Sequence, residues 1–171
     1  MLIDREIRKL IKKKNMIENY IDLKIQLQSN GFDLSLSEVF AFSSSNFEQC
    51  SIIDFSNEER RVNPCIFVSS NFNDGFFLEK GIYLFKTNEM FNMPKDIAAL
   101  AFPRSSLNRV GGILNSAIID AGYSGGLAFV VSLATRIIFT KNARFVQLIF
   151  FRLKEIPDKI YDGVYKKRKI K

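Results

Sequence analysis

From residue 52 onward the chain is a succession of short apolar runs, each closed by turn-forming residues, and this pattern leaves few folds open. The runs cover 52–55, 66–68, 76–78, 82–86, 97–102, 113–119, 127–133, 137–140 and 145–153. Asn73, Asp74 and Gly75 punctuate them, as do Asn92, Met93 and Pro94, and then Lys141 and Asn142. Gly, Asn and Asp accept the backbone of tight turns and Pro interrupts a strand, so these positions mark chain reversals. Many short strands at this spacing predict an all-β domain, a sandwich or a barrel.

The same period extends upstream. Leu23, Ile25 and Leu27 alternate with polar neighbours. Phe32, Leu34, Leu36, Phe40 and Phe42 continue the alternation, with Glu38 interrupting it. Both stretches read as strands with one buried face. Before them Asp4 can cap a short helix in which Ile7, Leu10 and Ile11 share one face and Lys12, Lys13 and Lys14 lie near the C-terminal end. The 171 residues, without internal repeat or linker, predict one domain able to bury most of its unfolded surface. Seventeen phenylalanines and no tryptophan predict a packed aromatic core.

Composition narrows the chemistry. There is no histidine, which excludes Ser-His-Asp and Cys-His nucleophilic machinery and histidine-ligated metals. Catalysis must run on carboxylates, hydroxyls, cationic side chains or a substrate-borne metal. Cys50 and Cys65 fit no metal-ligand spacing and are expected as free, buried or half-buried thiols rather than a disulfide. The net charge of +7 comes largely from the lysine triplet and from Lys166, Lys167, Arg168 and Lys169. No basic motif interleaved with aromatics is present, so a nucleic-acid partner is not expected, whereas a polyanionic small molecule suits the charge. No apolar run approaches the roughly twenty residues of a membrane span. The first residues lack the apolar core of a secretory signal, and a cytoplasmic protein is expected.

Two segments carry chemistry. Arg104-Ser105-Ser106-Leu107-Asn108-Arg109 follows a predicted strand. A short helix starting near Ser105 would aim backbone N–H groups and two hydroxyls at an anion, with Arg104 and Arg109 adding charge-assisted contacts. Standing alone, the segment is equally an ordinary Ser-capped turn. Asp120 lies between Ile118-Ile119 and Ala121-Gly122, followed by Tyr123. It is either a turn aspartate bonded to local backbone or a carboxylate in a mostly apolar pocket that orients and deprotonates water. Tyr123 places an aromatic face close by, suited to a base or sugar.

Together these segments resemble the trimeric dUTPase and dCTP deaminase superfamily, most closely its archaeal-type dUTPases, and the likeness runs along nearly the whole chain. Residues 2–8 are similar to the family's opening helix. Gln28-Ser29-Asn30-Gly31-Phe32-Asp33-Leu34 is similar to a first motif that usually reads Gln-Pro-Ala-Gly/Ser-Tyr-Asp-Leu. Residues 103–109 match the second motif and 119–125 the third. The segment from Asn142 to Phe150 matches the fourth, with Asn142 where glycine is usual; Asn is the next-best residue for a left-handed turn.

The resemblance implies a distorted, jelly-roll-like β-barrel of the β-clip type with a short N-terminal helix, assembled as a homotrimer with active sites shared between subunits. It implies dUTP as substrate, cleaved to dUMP and diphosphate, with Mg²⁺ held through the phosphates and Asp33 in a supporting position near the metal. Arg104, Ser105, Ser106, Arg109 and Gln147 would contact phosphates. Backbone at Ala128, Phe129 and Val130 would read the base, Tyr123 would pack on the deoxyribose, and Asp120 would activate water. Deaminases of the family carry a glutamate ten residues after the third-motif aspartate; here that position is Val130, which moves no protons.

Two segments depart from the pattern. Ser29 and Phe32 replace the usual Pro and Tyr of the first motif. Tyr161-Asp162-Gly163-Val164-Tyr165 resembles the C-terminal closure Tyr-x-Gly-x-Tyr-Gln-Gly, but Lys166 and Lys167 stand in place of Gln-Gly. The segment 161–171 is therefore expected to be a basic lid, mobile when empty, with Tyr165 near base or sugar and Lys166 near phosphate. The altered closure keeps open a nucleotide-binding or sensor protein with little turnover; dCTP deamination ranks last because of Val130.

Overall fold

The computed structural model describes residues 1–42, 50–62 and 65–163. Helix α1 (Asp4–Lys14) lays Ile7, Leu10 and Ile11 into the core. Its N-cap is Ile3 rather than Asp4. The Ile3 N–H is satisfied by the Glu6 carboxylate at 3.1 Å, so Asp4 instead sits in the first turn, where its charge favours the helix dipole.

Strands β1 (Ile17–Glu18), β2 (Leu27–Gln28), β3 (Gly31–Ala41), β4 (Ile66–Val68), β5 (Phe76–Leu78), β6 (Gly81–Asn92), β7 (Ile97–Pro103), β8 (Gly112–Leu114), β9 (Ile118–Ile119), β10 (Ser124–Leu133), β11 (Ile137–Phe139) and β12 (Arg144–Arg152) supply the body of the fold. Two further short helices are α2 (Leu23–Gln26) and α3 (Ser105–Arg109). The main sheet runs β8-β10-β6-β3-β12-β7-β9, while β11 pairs with β5. All the pairings are antiparallel.

The sheet curls into a barrel for a reason its connectivity makes plain. Strands β8 and β9 lie at opposite ends of the strand order, yet only Asn115, Ser116 and Ala117 separate them in sequence. So short a link reaches at most about 14 Å, so the two sheet ends must come together. Asn115 N–H donates to Val130 O of β10 and Ala101 N–H of β7 donates to Ala117 O, each at 3.0 Å, so the link is bonded on both sides of the seam. The expected single run over 113–119 is thus two strands on two sides of that seam.

The predicted aromatic core is present. Phe85 packs edge-on against Phe139 at 5.0 Å and Phe145 at 5.3 Å, and Phe129 meets Phe145 at 6.3 Å. Such edge-to-face pairs add to the burial term. Cys65 is a free, half-buried thiol, as expected, and Cys50 is likewise half-buried.

Three further expectations are corrected. Leu23 and Ile25 do not form a strand, which begins only at Leu27: the Asp22 carboxylate accepts from the N–H groups of Lys24 (2.7 Å) and Ile25 (3.4 Å) and caps a single helical turn. In β3 the pairing register shifts between Leu36 and Glu38, so the inward position passes to Val39 and leaves Phe42 exposed. Residues 52–55 form no strand; only an isolated bridge joins Ile52 to Arg61.

Candidate functional site

Strand β7 delivers Arg104 to the start of α3, as the sequence predicts. Arg104 N–H donates to Phe145 O at 3.0 Å, anchoring the entry to the turn, and Leu107 buries the inner face of α3. Ser105, Ser106 and Arg109 face solvent. The first N–H groups of a helix have no acceptor within it, so those at Ser105 and Ser106 are available to an anion. Arg109 also lines an open cleft with Gly111, Thr135, Arg136 and Ile138.

Behind this turn is a charge cluster. Asp33 Oδ2 lies 2.9 Å from Arg104 Nε and 3.0 Å from Arg144 Nη1. The Asp33 side chain is 2% exposed, while those of Arg104 and Arg144 are 27% and 29% exposed. Arg144 Nη1 also donates to Ile25 O at 2.7 Å, and Arg104 Nη1 to Arg144 O at 3.3 Å. Burial pushes the Asp33 carboxyl upward, and the guanidiniums of Arg104 and then Arg144 oppose that shift. Asp33 therefore fixes two arginines and is not open to solvent. Gln147, half-buried on β12, pairs with Asp33 on one side and Phe102 on the other, which joins it to the same cluster.

A second buried carboxylate adjoins the first. Glu89 is wholly buried and accepts from Gln26 Nε2 at 2.6 Å, from Ser35 N–H at 3.1 Å and from the Ser35 hydroxyl. Gln26 Nε2 also donates to Asp33 O at 2.9 Å. Asn88 Nδ2 donates to Ser35 Oγ at 2.9 Å and to Asn142 Oδ1 at 3.1 Å. Asn142 has φ 57°, so it both takes the left-handed turn and supplies a side-chain acceptor. Burial raises the Glu89 carboxyl above its ordinary range, against hydrogen bonds from Ser35 and Gln26.

Asp120 follows edge strand β9 and is exposed. The apolar pocket expected around it is not built by the described residues, among which β9 pairs only with β7 and leaves Ile118 70% exposed. Tyr123 is buried; its hydroxyl donates to Gly126 O, and its ring meets Tyr161 edge-on at 5.3 Å. Burial, and then Tyr161, push its phenol up to about 12. On β10, Ala128 is exposed beside a bulge, Phe129 belongs to the core, and Val130 is half-buried opposite Leu84.

The chain thus brings Asp33, Arg104, Ser105, Ser106, Arg109 and Gln147 to one region and leaves Asp120 in another. Ile119 pairs with Ala99, and Arg104 lies five residues beyond Ala99. At about 3.3 Å per residue, the third-motif turn and the second-motif turn are about 16 Å apart along β7. Tyr165 and Lys166 lie outside the described residues. Sequence reasoning gave no role to Arg144, Glu89, Gln26 or Arg136. The signal for Glu89 was a charged residue in mid-strand between apolar runs.

Among the described residues no group of three or more Cys, Asp or Glu side chains is placed to hold a metal. No helix among the described residues is long and apolar enough to cross a membrane. A family model described as dCTP deaminase-like matches residues 1–153. The chain is 42% identical over 163 residues to a probable deoxyuridine 5'-triphosphate nucleotidohydrolase of Archaeoglobus fulgidus, covering 94% of this chain and 92% of that one. It is 37% identical to a protein of the same name from Methanosarcina acetivorans, over 100% of this chain and 99% of the relative. Among solved structures it is similar to the 2'-deoxycytidine 5'-triphosphate deaminase of Agrobacterium tumefaciens, with a TM-score of 0.65 and 25% identity over 87% of this chain. The chain spans about half of that deaminase, 47% of its length. A curled antiparallel barrel, the charge cluster behind its second-motif turn and these likenesses agree that the chain belongs to the dCTP deaminase-like family.

Proposed function

We propose that the protein is a dUTP diphosphatase, cleaving dUTP to dUMP and diphosphate in sites shared between the subunits of a cytoplasmic homotrimer. The observation that carries the reaction type is Val130. It stands half-buried on β10, where deaminases of this family are expected to carry a glutamate, and it offers no group to move protons at a base. The extended likeness to archaeal proteins named for dUTP hydrolysis supports the same choice.

In this reading Arg104, Ser105, Ser106, Arg109 and Gln147 bind the phosphates. Asp33 works from behind, holding the guanidiniums of Arg104 and Arg144 in register; arginine suits this because its planar fork matches phosphate oxygens. Backbone from Ala128 to Val130 addresses the base edge and Tyr123 lies under the sugar. Asp120 takes a proton from water as its oxygen attacks the α-phosphorus. The α–β bridging bond breaks, and diphosphate leaves with that electron pair. Mg²⁺, carried by the phosphates, would offset their negative charge; this fits an Asp33 that is enclosed between arginines rather than open to the ion.

Because Asp120 lies just beyond the Ile119–Ala99 pair, more than about 16 Å from Arg104 along the direction of β7, the two are read as serving one α-phosphate from different chains. A neighbouring subunit would bring its own second-motif turn to this Asp120 and cover the exposed side of β9. Incubation with dUTP and Mg²⁺, followed by phosphorus and base analysis, tests the reading. The expected products are dUMP and diphosphate with the uracil intact. Tight dUTP binding without cleavage would instead favour a nucleotide-binding protein.

A further inference from the structure

The turn that carries Asp120 is held by a segment far downstream. Tyr161 N–H donates to Ala121 O at 3.3 Å. The Tyr161 ring stands edge-on to Tyr123 at 5.3 Å and 68°. Ile160 lies directly over Gly122, with its Cγ2 2.3 Å from the position a Cβ there would take. Gly122 has φ 79°, so both backbone conformation and the overlying isoleucine demand glycine. On its other side the turn is tied to the β6–β7 connection: Met93 N–H donates to Tyr123 O at 2.8 Å and Gly122 N–H to Pro94 O at 3.4 Å.

Within this frame Asp120 makes no side-chain hydrogen bond among the described residues; only its carbonyl is engaged, by Tyr123 N–H at 3.2 Å. Its direction is therefore set by the backbone of the turn. We propose that Tyr161 is a positioning residue: with Ile160 it latches the turn from 120 to 123 and so fixes the direction of the Asp120 carboxylate. The latch acts through a ring edge and a main-chain bond; the Tyr161 hydroxyl has no part in it. This rests on the reading of Asp120 as general base, but the contact itself does not.

The test compares full-length wild type, Tyr161→Ala and Tyr161→Phe in two measurements. One is amide exchange of the peptide covering 118–126; the other is kcat and KM for dUTP. Tyr161→Ala is expected to speed exchange in that peptide at least tenfold, with core peptides of β6 and β12 unchanged. It should lower kcat by up to about 10²-fold, the cost of misplacing a reacting group by an ångström, with KM within about twofold. Tyr161→Phe should restore both. Wild-type exchange in Tyr161→Ala, unchanged kcat despite faster exchange, or failure of Tyr161→Phe to rescue would each overturn the latch. A wild-type protein that binds dUTP without cleaving it defeats the proposed function instead, and the exchange comparison then still decides whether the latch exists.

Discussion

Arg104 meets Asp33 at 2.9 Å across β12, which separates β7 from β3, and the same Asp33 carboxylate oxygen also receives Arg144. A buried acid thus sets the direction of two guanidiniums whose outer edges reach solvent. Removing one member of such a pair leaves the other charges without compensation, which costs more than the pair itself contributes.

Asp33→Asn should therefore lower stability by about 3 kcal/mol. It should also raise KM for dUTP about tenfold or more, because Arg104 loses the contact that aims it. Urea unfolding and steady-state kinetics check the two parts. Unchanged KM would remove Arg104 from phosphate binding.

Glu89 gives a pH signature. Its folded-state value is raised by burial, so its contribution to stability is fully present below the ordinary glutamate range, about pH 4.3, and is lost as pH rises through the raised value. The stability of wild type relative to Glu89→Gln should accordingly fall as pH increases from about 4 toward neutrality. Paired denaturant titrations across that range check the sign. A difference that grows with pH would contradict it.

Incubation with dCTP should yield no deaminated product, since no proton-moving side chain stands at position 130. Val130→Glu alone should not install deamination, because surrounding hydrogen bonds that hold and tune such a glutamate would also be needed. Uracil formation from dCTP by wild type, at a rate comparable with dUTP cleavage, would reverse the assignment.

Much of the barrel is legible in the sequence because its strands obey period two between clear turn signals. The exceptions have physical causes. A bulge at 36–38 shifts the buried face from Phe40 and Phe42 to Val39, and a side-chain cap at Asp22 turns an alternating stretch into helix. Asn115, Ser116 and Ala117 divide one apolar run between two ends of a sheet. The turn from Arg104 to Arg109 is similarly legible, since its residues are contiguous. Arg144 and Glu89 are not, because their roles come from cross-strand neighbours. Tyr161 escaped because nothing local announces that it docks on Tyr123.

The separation of Asp120 from Arg104 along β7 makes shared sites the central structural claim, and subunit complementation tests it most directly. Asp120→Asn alone should lose about 10²–10⁴-fold in turnover, and Arg104→Ala should be similarly impaired. Co-expressed in equal amounts, the two variants would form mixed trimers in the proposed assembly. If each site takes Asp120 from one subunit and Arg104 from another, about a quarter of the sites are intact, and about a quarter of wild-type activity should return. If both residues act within one chain, no subunit carries both, and the mixture would stay as inactive as its parents.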